Sequence, residues 1–294
     1  MTKINLHHRL QPLAILLLLA FLTSCSIKLI YNNLDWVLAS MIEDYVTLSS
    51  EQETDVDLHV EEFLKWHKET QLQAYANDLR TMKSLMTSTT MNDGYAEQMF
   101  TMFIGHWQTL KENVAPRMAD LFLALKEDQI TDLLVILEAE NKEIDEEFKD
   151  TTREERLEKG GDNMVDNFEE WFGTLTQEQE TMLRAWPERF KPLHHERMKF
   201  RKNWQAGLNA VLNSDISKEQ KRTRLMDMII NPEQFQTTEH KERLVYNTKQ
   251  IKELLLTLDP LVLNEQRMFM AERLDYFIKN FDELAAEAEE DKES

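Results

Sequence analysis

The chain has 294 residues, 42% of them apolar, and carries 34 Lys and Arg against 54 Asp and Glu, a formal net charge of −20. Phosphate backbones are held by clustered cations that release counterions, so a chain with this deficit is no general nucleic-acid binder. It has only six Gly and six Pro; tight turns between strands need both, so the composition predicts an all-α chain.

The first element in chain order is a leader. Lys3 and Arg9 precede an uncharged apolar run from Leu13 to Leu22, LAILLLLAFL, the arrangement of a secretory signal peptide. A permanent bilayer span needs about 20 such residues, so this run is too short to be one. It ends in Leu22-Thr23-Ser24-Cys25, which resembles the lipobox of bacterial lipoproteins: an aliphatic residue, two small ones and the cysteine that is acylated. The resemblance implies cleavage between Ser24 and Cys25 and attachment to a lipid bilayer through the acylated Cys25. Ser26 stands where an Asp would favour inner-membrane retention, which implies the periplasmic side of the outer membrane. Cys25 is the one cysteine, so no intramolecular disulfide supports the fold. Cleavage removes two cations and no acid, leaving a mature charge of −22. The expected organisation is a signal peptide over 1–24, a lipidated tether over 25–40, a helical domain over 41–285 and an acidic disordered tail over 286–294.

Within the domain, Val56, Val60, Phe63, His67, Ala74, Tyr75, Leu79, Met82 and Met86 recur at steps near three and four, the period of one long amphipathic helix. A second stripe runs through Ile130, Leu133, Leu134, Leu137, Ile144 and Phe148, and another through Met270, Leu274, Phe277, Ile278, Phe281 and Leu284. The pattern predicts a multi-helix bundle of about eight to ten long antiparallel helices. Asn92-Asp93-Gly94, Gly160-Gly161-Asp162, Gly173 and Asn231-Pro232 are expected breaks, and Pro116, Pro187 and Pro192 are expected to start or kink helices.

A five-residue signature recurs as Leu48-Ser49-Ser50-Glu51-Gln52, Leu175-Thr176-Gln177-Glu178-Gln179 and Ile216-Ser217-Lys218-Glu219-Gln220, with looser copies ending at Gln129 and Gln266. It reads as a helix start: the hydroxyl caps an orphan N–H, the Gln reaches back, and the aliphatic residue packs as a staple. Successive Gln from 129 onward lie 50, 41 and 46 residues apart, uneven spacing that fits repeated hairpins better than a solenoid.

Catalytic motifs are scarce. No His has a Glu three residues before it, HExxH and GxSxG are absent, and there is no Gly-rich phosphate loop, so no metal, cofactor or catalytic residue is assigned. The pair Trp66-His67 is the one candidate contact for a ligand or partner, with a hydrogen-bonded core histidine as the plainer reading. His194-His195 reads as surface, and His106-Trp107 as packing aromatics. The acid-rich stretch from Glu138 to Glu158 reads as a solvated helix face that could attract a basic partner. Met82, Met86, Met91, Met99 and Met102 either fill the core or line an adaptable groove.

Tyr31-Asn32-Asn33-Leu34-Asp35-Trp36, Tyr45-Val46-Thr47-Leu48, Gln52, Trp66-His67 and Tyr75 resemble an uncharacterised family of gammaproteobacterial lipoproteins defined only as a domain of unknown function. The resemblance extends over nearly the whole mature chain and implies an all-helical envelope protein without assigned activity. Leu175, Thr176 and Gln179 are also similar to the Leu-Thr-x-x-Gln motif of small periplasmic stress chaperones. The expectation is a non-enzymatic module that binds an envelope protein or unfolded clients; the alternative is an enzyme or small-ligand carrier with a site near His67.

Overall fold

A computed structural model describes residues 27–88 and 91–293, and among them the chain forms twelve α-helices and no strand. They are α1 (Ile27–Tyr31), α2 (Leu34–Glu43), α3 (Ser50–Thr70), α4 (Leu72–Ser88), α5 (Asp93–Ala124) and α6 (Glu127–Asp150), then α7 (Arg153–Phe172), α8 (Gln177–Ala185), α9 (His194–Leu212), α10 (Lys218–Ile230), α11 (Thr238–Leu258) and α12 (Asn264–Glu293). The signal peptide and Cys25 lie outside the described residues.

The expected caps are in place. The hydroxyls of Ser49, Thr176 and Ser217 accept from the backbone N–H of Gln52, Gln179 and Gln220, while each Gln side chain accepts from the N–H of its cap residue. Thr152 and Glu155 make a fourth such box. It splits the acid-rich stretch into α6 and α7, a boundary that the run of charges concealed.

Several boundaries differ from expectation. The stripe from Val56 to Met86 is two helices that meet at Gln71, where the amide N–H still donates to His67 O (2.9 Å). Gly160 and Gly161 do not break the chain but sit inside α7, because α8 comes so close that a Cβ on Gly161 would lie 2.8 Å from the Arg184 carbonyl oxygen. The actual stop is Gly173, whose φ of +71° favours glycine. Pro116 lies within α5 without ending it; Ala115 and Ala119 are buried on either side, and Arg117 Nη1 donates to the Asn113 carbonyl (2.9 Å). The span expected as tether, 25–40, is helical from Ile27 onward, and the span expected as a disordered tail, 286–294, continues α12 to Glu293 with Ala288 buried.

Three apolar clusters hold the helices. Ile27, Leu72 and Ala76 pack with Leu274, Phe277, Ile278, Phe281 and Leu284, so α12 is the central strut against α1 and α4. Val46, Ala119 and Leu133 pack with Leu208, Leu212, Leu225 and Met228. Val165, Leu175, Leu183 and Trp186 pack with Leu254 and Leu258.

The signature glutamines have a second task. The amides of Gln52 and Gln129 donate to each other (2.9 and 2.8 Å), and so do those of Gln179 and Gln266 (2.8 and 2.9 Å). Each also donates its other N–H to the carbonyl five residues before its partner, at Ala124, Thr47, Leu261 and Thr174 respectively. The chain thus repeats one device twice, butting α3 against α6 and α8 against α12 at their N-termini. Gln220, the fifth copy, is exposed and makes only its local cap.

Candidate functional site

The α3–α4 junction and α1 bring together the side chains around Trp66-His67. His67 is half-buried by area, and its ring is enclosed by Tyr31, Phe63, Trp66 and Tyr75, with ring centroids 5.4 to 6.4 Å from its own. Nδ1 lies 3.0 Å from the Tyr31 hydroxyl and Nε2 3.2 Å from the Tyr75 hydroxyl. Tyr31 also donates to Leu64 O at 3.2 Å. One proton arrangement satisfies all three contacts: Tyr31 spends its hydroxyl proton on Leu64 O, so Nδ1–H donates to Tyr31 and Tyr75 donates to Nε2.

No charge faces the imidazole at hydrogen-bond range, and burial alone pulls its pKa down from 6.5 to about 4. Burial likewise raises both phenols, Tyr75 to about 12. At neutral pH the Tyr31–His67–Tyr75 chain is therefore uncharged. With both ring nitrogens occupied, His67 presents neither a base nor a metal ligand to solvent. Trp66 packs on Phe63 and His67, so both proposed contact residues support the α3–α4 junction.

Tyr75 links this cluster to the surface. Its ring meets that of His106 edge-on at 4.6 Å, and His106 Nε2 lies 2.7 Å from Asp78 Oδ2. His106, expected to be a packing aromatic, thus belongs to an Asp–His pair that no local pattern marks, since 28 residues and a helix boundary separate the two. The pair lies in an open groove of about 540 Å³ between α4 and α5, lined also by Glu97, Thr101, Met102 and Gly105. Glu97 holds the Lys252 ammonium from α11. Gly105 leaves the floor bare, for a Cβ there would meet nothing within 4 Å. Among the five singled-out methionines, Met102 lines this groove and Met86 packs on the first core cluster.

The other candidates are structural. His194 is half-buried and not a surface residue, stacked on Phe148 at 3.6 Å and bonded to Asp145 at 3.0 Å; His195 is exposed. The acid-rich stretch turns part of its charge inward. Glu140 accepts from Tyr45 (2.8 Å) and Arg201 (3.2 Å), and the neighbouring Asn141 is fully buried against Gln205 and Arg201. Among the described residues, no three His, Cys, Asp or Glu side chains converge as metal ligands, and no helix is long and apolar enough to cross a membrane.

No curated protein and no solved structure matches this chain significantly. A family model does match, over residues 44–241, a stretch that includes Tyr45 to Leu48, Gln52, Trp66, His67 and Tyr75 but not Tyr31 to Trp36. That stretch is most of the chain, which therefore belongs to DUF6279, a family of unknown function.

Proposed function

We propose that this protein is a lipid-anchored, non-enzymatic component of the periplasmic face of a bacterial outer membrane, whose helical domain binds an envelope protein or unfolded chains. The anchor rests on the charged, apolar and small regions that lead in order to Cys25. The binding role rests on one observation, the groove between α4 and α5. It is open, bare at Gly94 and Gly105, and lined by polarizable Met102 beside Asp78 and Glu97. A wide trough of this kind accepts a peptide segment more readily than it encloses a small molecule. The surrounding charge of −22 adds attraction for basic segments, screened beyond about 8 Å at physiological ionic strength.

Two measurements test the reading. Replacing Cys25 with Ala should abolish incorporation of radiolabelled palmitate, and unchanged labelling refutes the anchor. The purified protein should suppress aggregation of a basic unfolded substrate at low salt and lose part of that effect at high salt. Absence of suppression at stoichiometric ratios under every salt condition rejects the client-binding role.

A further inference from the structure

The lipid anchor proposed above has a geometric consequence for α2. Ile27 is 4% exposed, locked among Leu274, Leu284 and their neighbours on α12. Only Ser26 separates it from Cys25, a reach of at most about 7 Å. The folded body therefore begins almost at the acylated sulfur and has no length of chain with which to stand off from the bilayer.

The element that follows is apolar and only partly covered, with Trp36 its one exposed apolar side chain. Leu34, Trp36, Val37, Leu38, Ala39, Met41 and Ile42 make up most of the ten residues of α2, yet none of its residues is buried. Trp36 is 72% exposed, and Leu29 just before it on α1 is 57% exposed. Asn33 ties the two helices by donating from Nδ2 to Leu29 O (2.6 Å). At helical rise, Trp36 lies within about 20 Å of the lipidated residue. Indole rings concentrate where an apolar medium meets a wet one, as at headgroups.

We propose that the exposed face of α2, centred on Trp36 and joined by Leu29, lies in the headgroup layer of the membrane that holds Cys25. The surface it fits is zwitterionic. The α2 sequence has no Lys or Arg and carries Asp35 and Glu43, and Lys28 on α1 is held between Glu283 (2.7 Å) and Glu287 (3.1 Å). Neither α1 nor α2 thus presents an unpaired cation to anionic lipid.

The test uses the full protein purified from membranes and reconstituted in phosphatidylcholine vesicles, with and without bromine on the acyl chains near the headgroup. Brominated lipid should quench part of the tryptophan emission, and Trp36→Phe should remove that quenching while leaving far-UV circular dichroism unchanged. The intact mass reports acylation separately. An acylated protein that bromine does not quench, or whose quenching survives Trp36→Phe, overturns the docked helix and retains the anchor. An unacylated protein that still shows Trp36-dependent quenching supports the docked helix and refutes the anchor; one with neither property overturns both.

Discussion

The amides of Gln179 and Gln266, distant in sequence, face each other in the interior and exchange two hydrogen bonds of 2.8 and 2.9 Å. Each oxygen also accepts from the N–H of its own cap residue, Thr176 (2.9 Å) and Leu263 (3.0 Å), and each nitrogen donates to a carbonyl beside the partner, Leu261 (2.9 Å) and Thr174 (2.8 Å). Both N–H groups and both lone pairs of each amide are used. Two helix starts that would otherwise bring orphan groups into the interior instead satisfy one another.

Gln179→Leu should therefore be costly. It leaves Thr176 N and Leu261 O without their partner and strips the Gln266 amide of two of its four bonds, a loss of about 3 kcal/mol. Gln220→Ala, in the exposed copy of the same signature, should cost no more than about 1 kcal/mol. Urea denaturation of the two variants distinguishes them, and equal losses would contradict a structural role for the buried pair.

Gly161→Ala places a Cβ 2.8 Å from Arg184 O and 3.0 Å from its Cα. Backbone cannot swing aside as a side chain does, so α7 and α8 must part, at about 1–3 kcal/mol. Gly160→Ala meets only Pro187 side-chain atoms at 3.4 Å and gains up to about 1 kcal/mol of helix propensity. Thermal unfolding should lower the midpoint for the first and leave the second unchanged or raised.

His67 makes stability depend on pH. Its pKa is near 4 when folded and 6.5 in its ordinary state, so between these values the unfolded chain binds the extra proton. Stability from this group is complete above about pH 6.5 and falls as the pH drops toward 4, by up to about 3 kcal/mol. His67→Gln should flatten the dependence of unfolding free energy on pH within that window relative to the parent. An unchanged slope would mean that the imidazole is charged or solvated in the fold.

Gly105→Leu tests the groove. With open space at its Cβ position, the substitution should leave the fold intact and raise helix propensity by somewhat under 1 kcal/mol. It should also occlude the floor and weaken suppression of client aggregation. Full suppression by this variant would locate client binding elsewhere on the surface.

Local signals in the sequence determined the all-helical class, the three main caps, and the breaks at Asn92, Gly173 and Asn231-Pro232, because capping and apolar period act within a few residues. Trp66-His67 was likewise visible as a pair, but its meaning was not. Tyr31 and Tyr75 take both nitrogens of His67 only once α1 and the α3–α4 junction are packed together. The same holds for Asp78 and His106, joined across a helix boundary, and for Gly160-Gly161, which looks like a break until α8 lies against it. Four glutamines that read as cap residues became two interior pairs, and the fifth stayed a cap. A hydrogen bond within a helix start is set by residues three apart, whereas a bond between helix starts depends on which helices the apolar clusters bring side by side, and only the tertiary structure decides that.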